Sequence, residues 1–260
     1  MNISTSGAGV RDIVLIHGAW QGSWAFDAWR PLLEAQGWRV HGVDLPGNGH
    51  TPASTQRPAT LAGYTDHVCE VLAALDRPAV VLGHSGGGIV ASQVAQALPD
   101  QVAALVYLVG MMLPSGLSYS DLIAQARADD PDWVYQGIGP HLRWSADGAC
   151  SAVDPDGALE TFLHDCPPDA ARAAAARLTP QSESGRAISN ELSAQRFGRV
   201  PRVYVACRND RSVPWALQQR MLQLQPPQAQ IVLDCGHVPQ LACPAALTQA
   251  LVPALHALLA

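Results

Sequence analysis

No lysine occurs in this 260-residue chain; all 16 basic residues are arginine, scattered rather than clustered, against 22 acidic ones, for a formal net charge of −6. Without lysine there is no lysine Schiff base and no phosphate-binding P-loop, and without a basic run nucleic acid is not an expected partner. Apolar runs of membrane-spanning length are also missing. The polar start MNISTSGAGVRD passes directly into IVLIHG, with no signal-peptide core between them. No membrane association is expected, and the chain reads as cytoplasmic. The six cysteines stand at irregular spacings that fit neither a disulfide framework nor a zinc site. Cys69, Cys207 and Cys235 lie in apolar runs and read as reduced, buried thiols. Neither a metal nor an organic cofactor is expected.

What is present is enough apolar sequence, 48% hydrophobic residues, to bury one sizeable core. Short β-branched runs at 13–17, 39–44, 79–82, 102–109, 202–206 and 230–233 alternate with helical stretches at 24–36, 61–75, 89–98 and 245–259. That alternation predicts an α/β fold, a six-stranded, mostly parallel sheet flanked by helices. Residues 113–199 break the rhythm, being rich in Ala, Asp, Pro and Ser with helix-like segments and no convincing strand. They read as a helical cap inserted into a core made of 1–112 and 200–260. A plain linker is the alternative, but about 85 structureless residues fit poorly in a compact protein.

Gly83-His84-Ser85-Gly86-Gly87 matches G-x-S-x-G where a buried strand ends and a helix begins. A sharp turn there lifts a serine hydroxyl out of the sheet, small neighbours let strand and helix approach, and the helix start directs free amides toward the reacting atoms. Two other readings compete. Gly86-x-Gly88-x-x-Ala91 also fits a dinucleotide fingerprint, but the next strand, VAALVYLVG, ends without the acidic residue that fingerprint needs. Alternatively the serine is simply a helix cap. His17-Gly18-Ala19-Trp20 ends the first strand, and the amides of Ala19 and Gly86 are the expected oxyanion-hole donors, each worth on the order of 3 kcal/mol in a transition state.

Position selects the base from nine histidines. His237 follows the last strand in QIVLDCGH and precedes the last helix, at the carboxyl edge where open α/β sheets keep their sites. His84 reads as support for the serine turn and His17 as a brace for the oxyanion loop. His141 and His164 fall in the cap, while His41, His50, His67 and His256 have no motif around them. Asp210, just after the fifth strand in VYVACRND, gives the chain order Ser, Asp, His. Asp234 is too close to His237 along the chain to reach its Nδ1 easily, and Asp44 reads as a structural turn residue in DLPGNG.

With these pieces assembled the chain resembles the α/β-hydrolase family, and more narrowly its methylesterase and hydroxynitrile lyase branch with bacterial relatives. The segments IVLIHGAWQGSWAF, RPLLEAQGWRVHGVDLPG, TFLHDCPPDAARAAAARLTPQ, RFGRVPRVYVACRNDRSVP and CGHVPQLACP carry the likeness over nearly the whole chain. The lyases of that branch typically have threonine, glutamate and lysine where this chain has Gly18, His84 and Val238. A positive charge serves departing cyanide, so the missing lysine favours ester chemistry. Plant methylesterases often carry leucine at the position of Gly86, so their substrate preference is not carried over.

The resemblance and the residues together imply a serine carboxylesterase acting on small, apolar or aromatic esters through an acyl-enzyme on Ser85, with Asp210 and His237 completing the triad. Substrate contacts are expected from Gly18, Trp20, Trp133, Tyr135, Trp144, Phe162 and Val238, although the cap aromatics also read as cap core. The expected partner is a small-molecule ester, met by the chain alone or as a homodimer. The rivals are a carbon–carbon lyase on the same triad and a non-catalytic small-molecule receptor of the same fold.

Overall fold

The computed structural model describes residues 11–135 and 137–260. Its centre is one sheet of six strands: β1 (Arg11–Ile16), β2 (Trp38–Val43), β3 (Ala79–His84), β4 (Val102–Leu108), and, after a long excursion, two more at Arg202–Cys207 and Ala229–Leu233. The excursion contains three short strands, β5 (Leu142–Trp144), β6 (Cys150–Val153) and β7 (Gln181–Ser182), so the last two strands of the main sheet are β8 and β9. Every pairing in the main sheet is parallel, and the spatial order is β2-β1-β3-β4-β8-β9.

The apolar runs form strands because helices cover both faces. Alternate residues divide between two cores: Val14, Ile16, Val81, Leu105 and Tyr107 on one face, Ile13, Leu15, Val80, Leu82 and Val106 on the other. The first face is packed by α2 (Leu61–Ala73), α3 (Gly87–Ala97) and the later helix Trp215–Leu224. The second is packed by α1 (Arg30–Glu34) and the closing helix Pro244–Leu258.

The chain moves outward from β1 to β2 and then returns past β1 to β3, so the direction of winding reverses between β1 and β3. Their registers end level, with Ile16 beside Gly83. The loops leaving the two strands therefore open a crevice at the carboxyl edge, the place where α/β sheets bind ligands.

Two sequence expectations are corrected. The helix expected at 24–36 is a 3-10 turn, Ser23–Phe26, followed by the five-residue α1, because Pro31 supplies no amide for a continuous helix and restricts the residue before it. The inserted segment, expected to lack strands, contains the antiparallel sheet β5-β6-β7. Strands of two to four residues are too short to display a period of two. Around this sheet lie α4 (Tyr119–Asp129), α5 (Pro155–Thr161), α6 (Pro168–Ala175) and α7 (Glu183–Arg186). A third apolar cluster, including Phe162, Leu163, Ala171 and Ala174, seats this segment on Trp20 and Val238 of the core loops.

Candidate active site

Ser85 follows the last residue of β3 with φ +52°, in the left-handed region that a non-glycine residue adopts only under constraint. The constraint is visible. Its amide donates to Leu108 O at 3.2 Å, while its carbonyl accepts from Gly88 N at 3.0 Å and Met111 N at 2.9 Å. Glycines permit the tight passage: a Cβ on Gly83 would lie 2.4 Å from Gly87 O, and one on Gly87 would lie 2.6 Å from His17 O. These contacts are between backbones, so no side chain could yield to relieve them.

The loop after β1 runs alongside. Gly18 packs so closely that a Cβ would meet Ser85 Cβ at 2.9 Å and His84 Nδ1 at 3.0 Å. Threonine, the residue of the lyase pattern, has no room there. Trp20, at φ +60°, is held by a hydrogen bond from its amide to Gln181 Oε1 at 2.7 Å. The amides of Ala19 and Gly86 donate to no protein acceptor among the described residues, and both residues line the cavity that Ser85 lines. Two unengaged amides beside a serine hydroxyl are what a developing oxyanion requires.

His237 and Asp210 reach the same place from the loops after β9 and β8. His237 Nδ1 is 2.7 Å from Asp210 Oδ2, and Asp210 Oδ1 accepts from the amides of Ser212 at 2.7 Å and Val213 at 2.8 Å. The carboxylate is thus fixed at both oxygens. The imidazole lies between His84, 4.9 Å away between ring centres, and Phe162, 5.5 Å away. His237 and Ser85 line one cavity. An imidazole held at Nδ1 by a buried carboxylate presents its other nitrogen for proton transfer.

Residues 13–250 match the family model described as the alpha/beta hydrolase family. The chain belongs to that family. It is 31% identical over 256 residues to a pyrethroid hydrolase from Sphingobium wenxiniae, an alignment covering 93% of this chain and 86% of that relative. Methylesterase 7 of Arabidopsis thaliana is 27% identical, with 90% and 92% covered. The crystal structure of a pyrethroid hydrolase from Sphingobium faniae JZ-2 superposes with a TM-score of 0.79 at 29% identity, covering 94% of this chain and 96% of that one.

Within this hydrolase the cavity has a volume of about 480 Å³, enough for a drug-sized ligand. Of the expected substrate contacts, Gly18, Trp20, Tyr135 and Phe162 line it. The other three do not. Trp133 packs against the core cluster and stacks on Tyr135 with ring centres 5.4 Å apart, Trp144 is half exposed beside Arg186, and Val238 is buried in the third apolar cluster. Their distance from the cavity follows from tertiary packing, which aromatic character alone does not reveal. His141 and His164 are also outside the lining.

The rejected acids have other partners: Asp234 is exposed and pairs with Arg208 at 3.2 Å, and Asp44 accepts the amides of Ser23 and His50. Cys207 and Cys235 are buried as expected, with their sulfurs 3.3 Å apart beneath the loops of Asp210 and His237; Cys69 is only partly buried. No described helix is long and apolar enough to cross a membrane.

The bracing histidines carry the reading made from their positions. His17 is placed between Gly18 O, 2.8 Å from Nδ1, and the amide of Leu45, which donates to Nε2 at 3.1 Å. His84 donates from Nε2 to His237 O at 2.8 Å, tying the serine turn to the loop of His237. Burial, and next the neighbouring His237, push His84 from 6.5 down to about 3. Between those values the unfolded chain binds a proton that the folded chain does not. Stability from this group is therefore complete above about pH 6.5 and is lost toward pH 3, by up to about 1.4 kcal/mol per pH unit. Urea midpoints measured at pH 7 and pH 5 are expected to differ less in His84→Gln than in wild type; equal differences would assign the acid sensitivity elsewhere.

Sequence reasoning missed Gln21, Tyr64, Tyr119, Gln181 and Ser212, all of which line the cavity. Gln21, Gln181 and Ser212 fall inside the segments that carry the family likeness without having been singled out there, and Tyr64 and Tyr119 fall outside them, brought in by packing between elements far apart in the chain.

Proposed function

We propose that this protein is a serine carboxylesterase that cleaves small, apolar or aromatic carboxylic esters, with Ser85 as nucleophile, His237 as general base and acid, and Asp210 as the group orienting it. The relatives named a pyrethroid hydrolase and a methylesterase support ester hydrolysis. The observation that carries the residue assignment is the strained Ser85 beside the free amides of Ala19 and Gly86, in one cavity with the Asp210-bound His237.

His237 takes the proton as Ser85 attacks the carbonyl, the two amides bind the oxyanion, and His237 returns the proton to the departing alcohol. Water then repeats the sequence on the acyl-enzyme. The apolar and aromatic preference is supported by Trp20, Val90, Ile138, Leu142 and Phe162 in the lining. A small-molecule ester is the partner, and the six free cysteines are in keeping with a reducing, cytoplasmic setting.

A lyase is disfavoured by the crowding at Gly18, and a pure receptor by the fixed carboxylate and imidazole, which binding alone does not need. Treatment with a fluorophosphonate is expected to add one label, located on Ser85 by peptide mass and absent from Ser85→Ala. An unlabelled Ser85 in folded wild-type protein would favour the receptor.

A further inference from the structure

The loop that carries Asp210 is gripped from two sides, and the hydrolytic scheme accounts for neither grip. On the core side stands Gln218, fully buried on the helix Trp215–Leu224, whose Nε2 donates to Val213 O at 2.7 Å and to Cys207 O at 2.9 Å. On the cavity side two tyrosines of the inserted segment meet one carbonyl. The Tyr135 hydroxyl donates to Ser212 O at 2.8 Å, and the Tyr119 hydroxyl, on α4, lies 3.3 Å from both that oxygen and the Tyr135 hydroxyl. No other donor among the described residues reaches Ser212 O. Burial pushes both phenols above their ordinary value, so they act here as neutral donors.

That carbonyl is tied to the acid. Ser212 O and Val213 N are the two ends of one peptide group, which is planar and rigid. Val213 N donates to Asp210 Oδ1 at 2.8 Å, beside Ser212 N at 2.7 Å, and Asp210 Oδ2 holds His237 Nδ1. A chain of hydrogen bonds therefore runs from the tyrosine pair, through one peptide plane, to the carboxylate and the imidazole. A donor on the oxygen end fixes the direction of the amide at the other end and strengthens its hydrogen bond.

We propose that Tyr119 and Tyr135 are positioning residues for the triad: acting through the Ser212–Val213 peptide, they hold the Asp210 carboxylate in the orientation that sets the His237 tautomer. The assignment rests on the carboxylesterase reading. It makes the inserted segment, and not the core alone, responsible for the geometry of the base.

A pair that merely seated the inserted segment on the core would lower activity whatever residue stood at position 210. A double-mutant cycle separates the two roles. Tyr119→Phe/Tyr135→Phe keeps both rings, including the stack of Tyr135 on Trp133, and removes both donors. With Asp210 in place it is expected to lower kcat for p-nitrophenyl butyrate about tenfold, an ordinary coupling within one hydrogen-bond network, while KM changes by less than about twofold. In the Asp210→Ala background there is no carboxylate to hold, and the same pair is expected to change kcat by less than about twofold.

Tyr135→Phe alone leaves Tyr119 within reach of Ser212 O. Its expected loss of about threefold, again confined to the background that retains Asp210, decides the matter should the double variant not fold. Equal losses of kcat in the two backgrounds, an unchanged kcat with Asp210 in place, or a rise in KM alone each overturn the positioning role and leave the esterase standing. If Asp210→Ala itself turns over at the wild-type rate, the carboxylate is not part of the machinery, and the triad falls together with the positioning role.

Discussion

Alanine at position 85 is expected to lower kcat for p-nitrophenyl butyrate by on the order of 10⁵-fold, with the fold intact by circular dichroism. The effect is large because no other hydroxyl among the described residues is set up as Ser85 is. Its left-handed backbone is locked by three main-chain hydrogen bonds to Leu108, Gly88 and Met111. Ala19 and Gly86, whose amides are the proposed oxyanion donors, line the same cavity. Alanine removes the attacking oxygen but leaves the cavity and those amides in place, so a small rate above the uncatalysed reaction should persist, carried by binding and the oxyanion hole. Equal kcat in wild type and Ser85→Ala would remove Ser85 as nucleophile.

The second large effect is expected from Asp210→Asn, a loss in kcat on the order of 10⁴-fold at neutral pH. The direction follows from the carboxylate's partners. Oδ1 accepts two backbone amides, from Ser212 and Val213, so an asparagine must place its carbonyl oxygen there. Its NH₂ then occupies the position of Oδ2, 2.7 Å from His237 Nδ1, and donates to a nitrogen that should itself be the donor. The imidazole proton is driven to the nitrogen needed to receive the serine proton, and the base is disabled by tautomer rather than by displacement. Steady-state kcat on an aryl ester measures the loss. A decrease under tenfold would show that Asp210 does not set the tautomer of His237.

Much of this site was legible along the chain. The serine turn announced itself because its geometry demands small residues at fixed spacing, Gly83 and Gly87 around Ser85, and the strand and helix on either side were strongly patterned. Asp210 and His237 were selected by where they fall relative to strand ends, since a parallel sheet brings all of its carboxyl ends to one edge. The short strands β5, β6 and β7 were not legible, because two to four residues hold too little periodicity. The helix expected across 24–36 failed for a local reason, the proline at 31.

The substrate side was read least well. Among the aromatics of residues 113–199, Tyr135 and Phe162 line the cavity while Trp133 and Trp144 do not, and all four are equally plausible as bulky apolar residues. Tyr64 and Tyr119 could not be singled out, since they lie in no motif, yet both line the cavity.

From sequence alone came the sheet, the turn that carries Ser85 and the order of its partners, because each rests on local steric demands or on the regular advance of strands and helices. Only the tertiary structure decided which side chains of residues 113–199 line the cavity and how closely Gly18 packs on Ser85. Those depend on packing between segments distant in the chain, where contact is set by the shape of the assembled core and leaves no periodic mark on either segment.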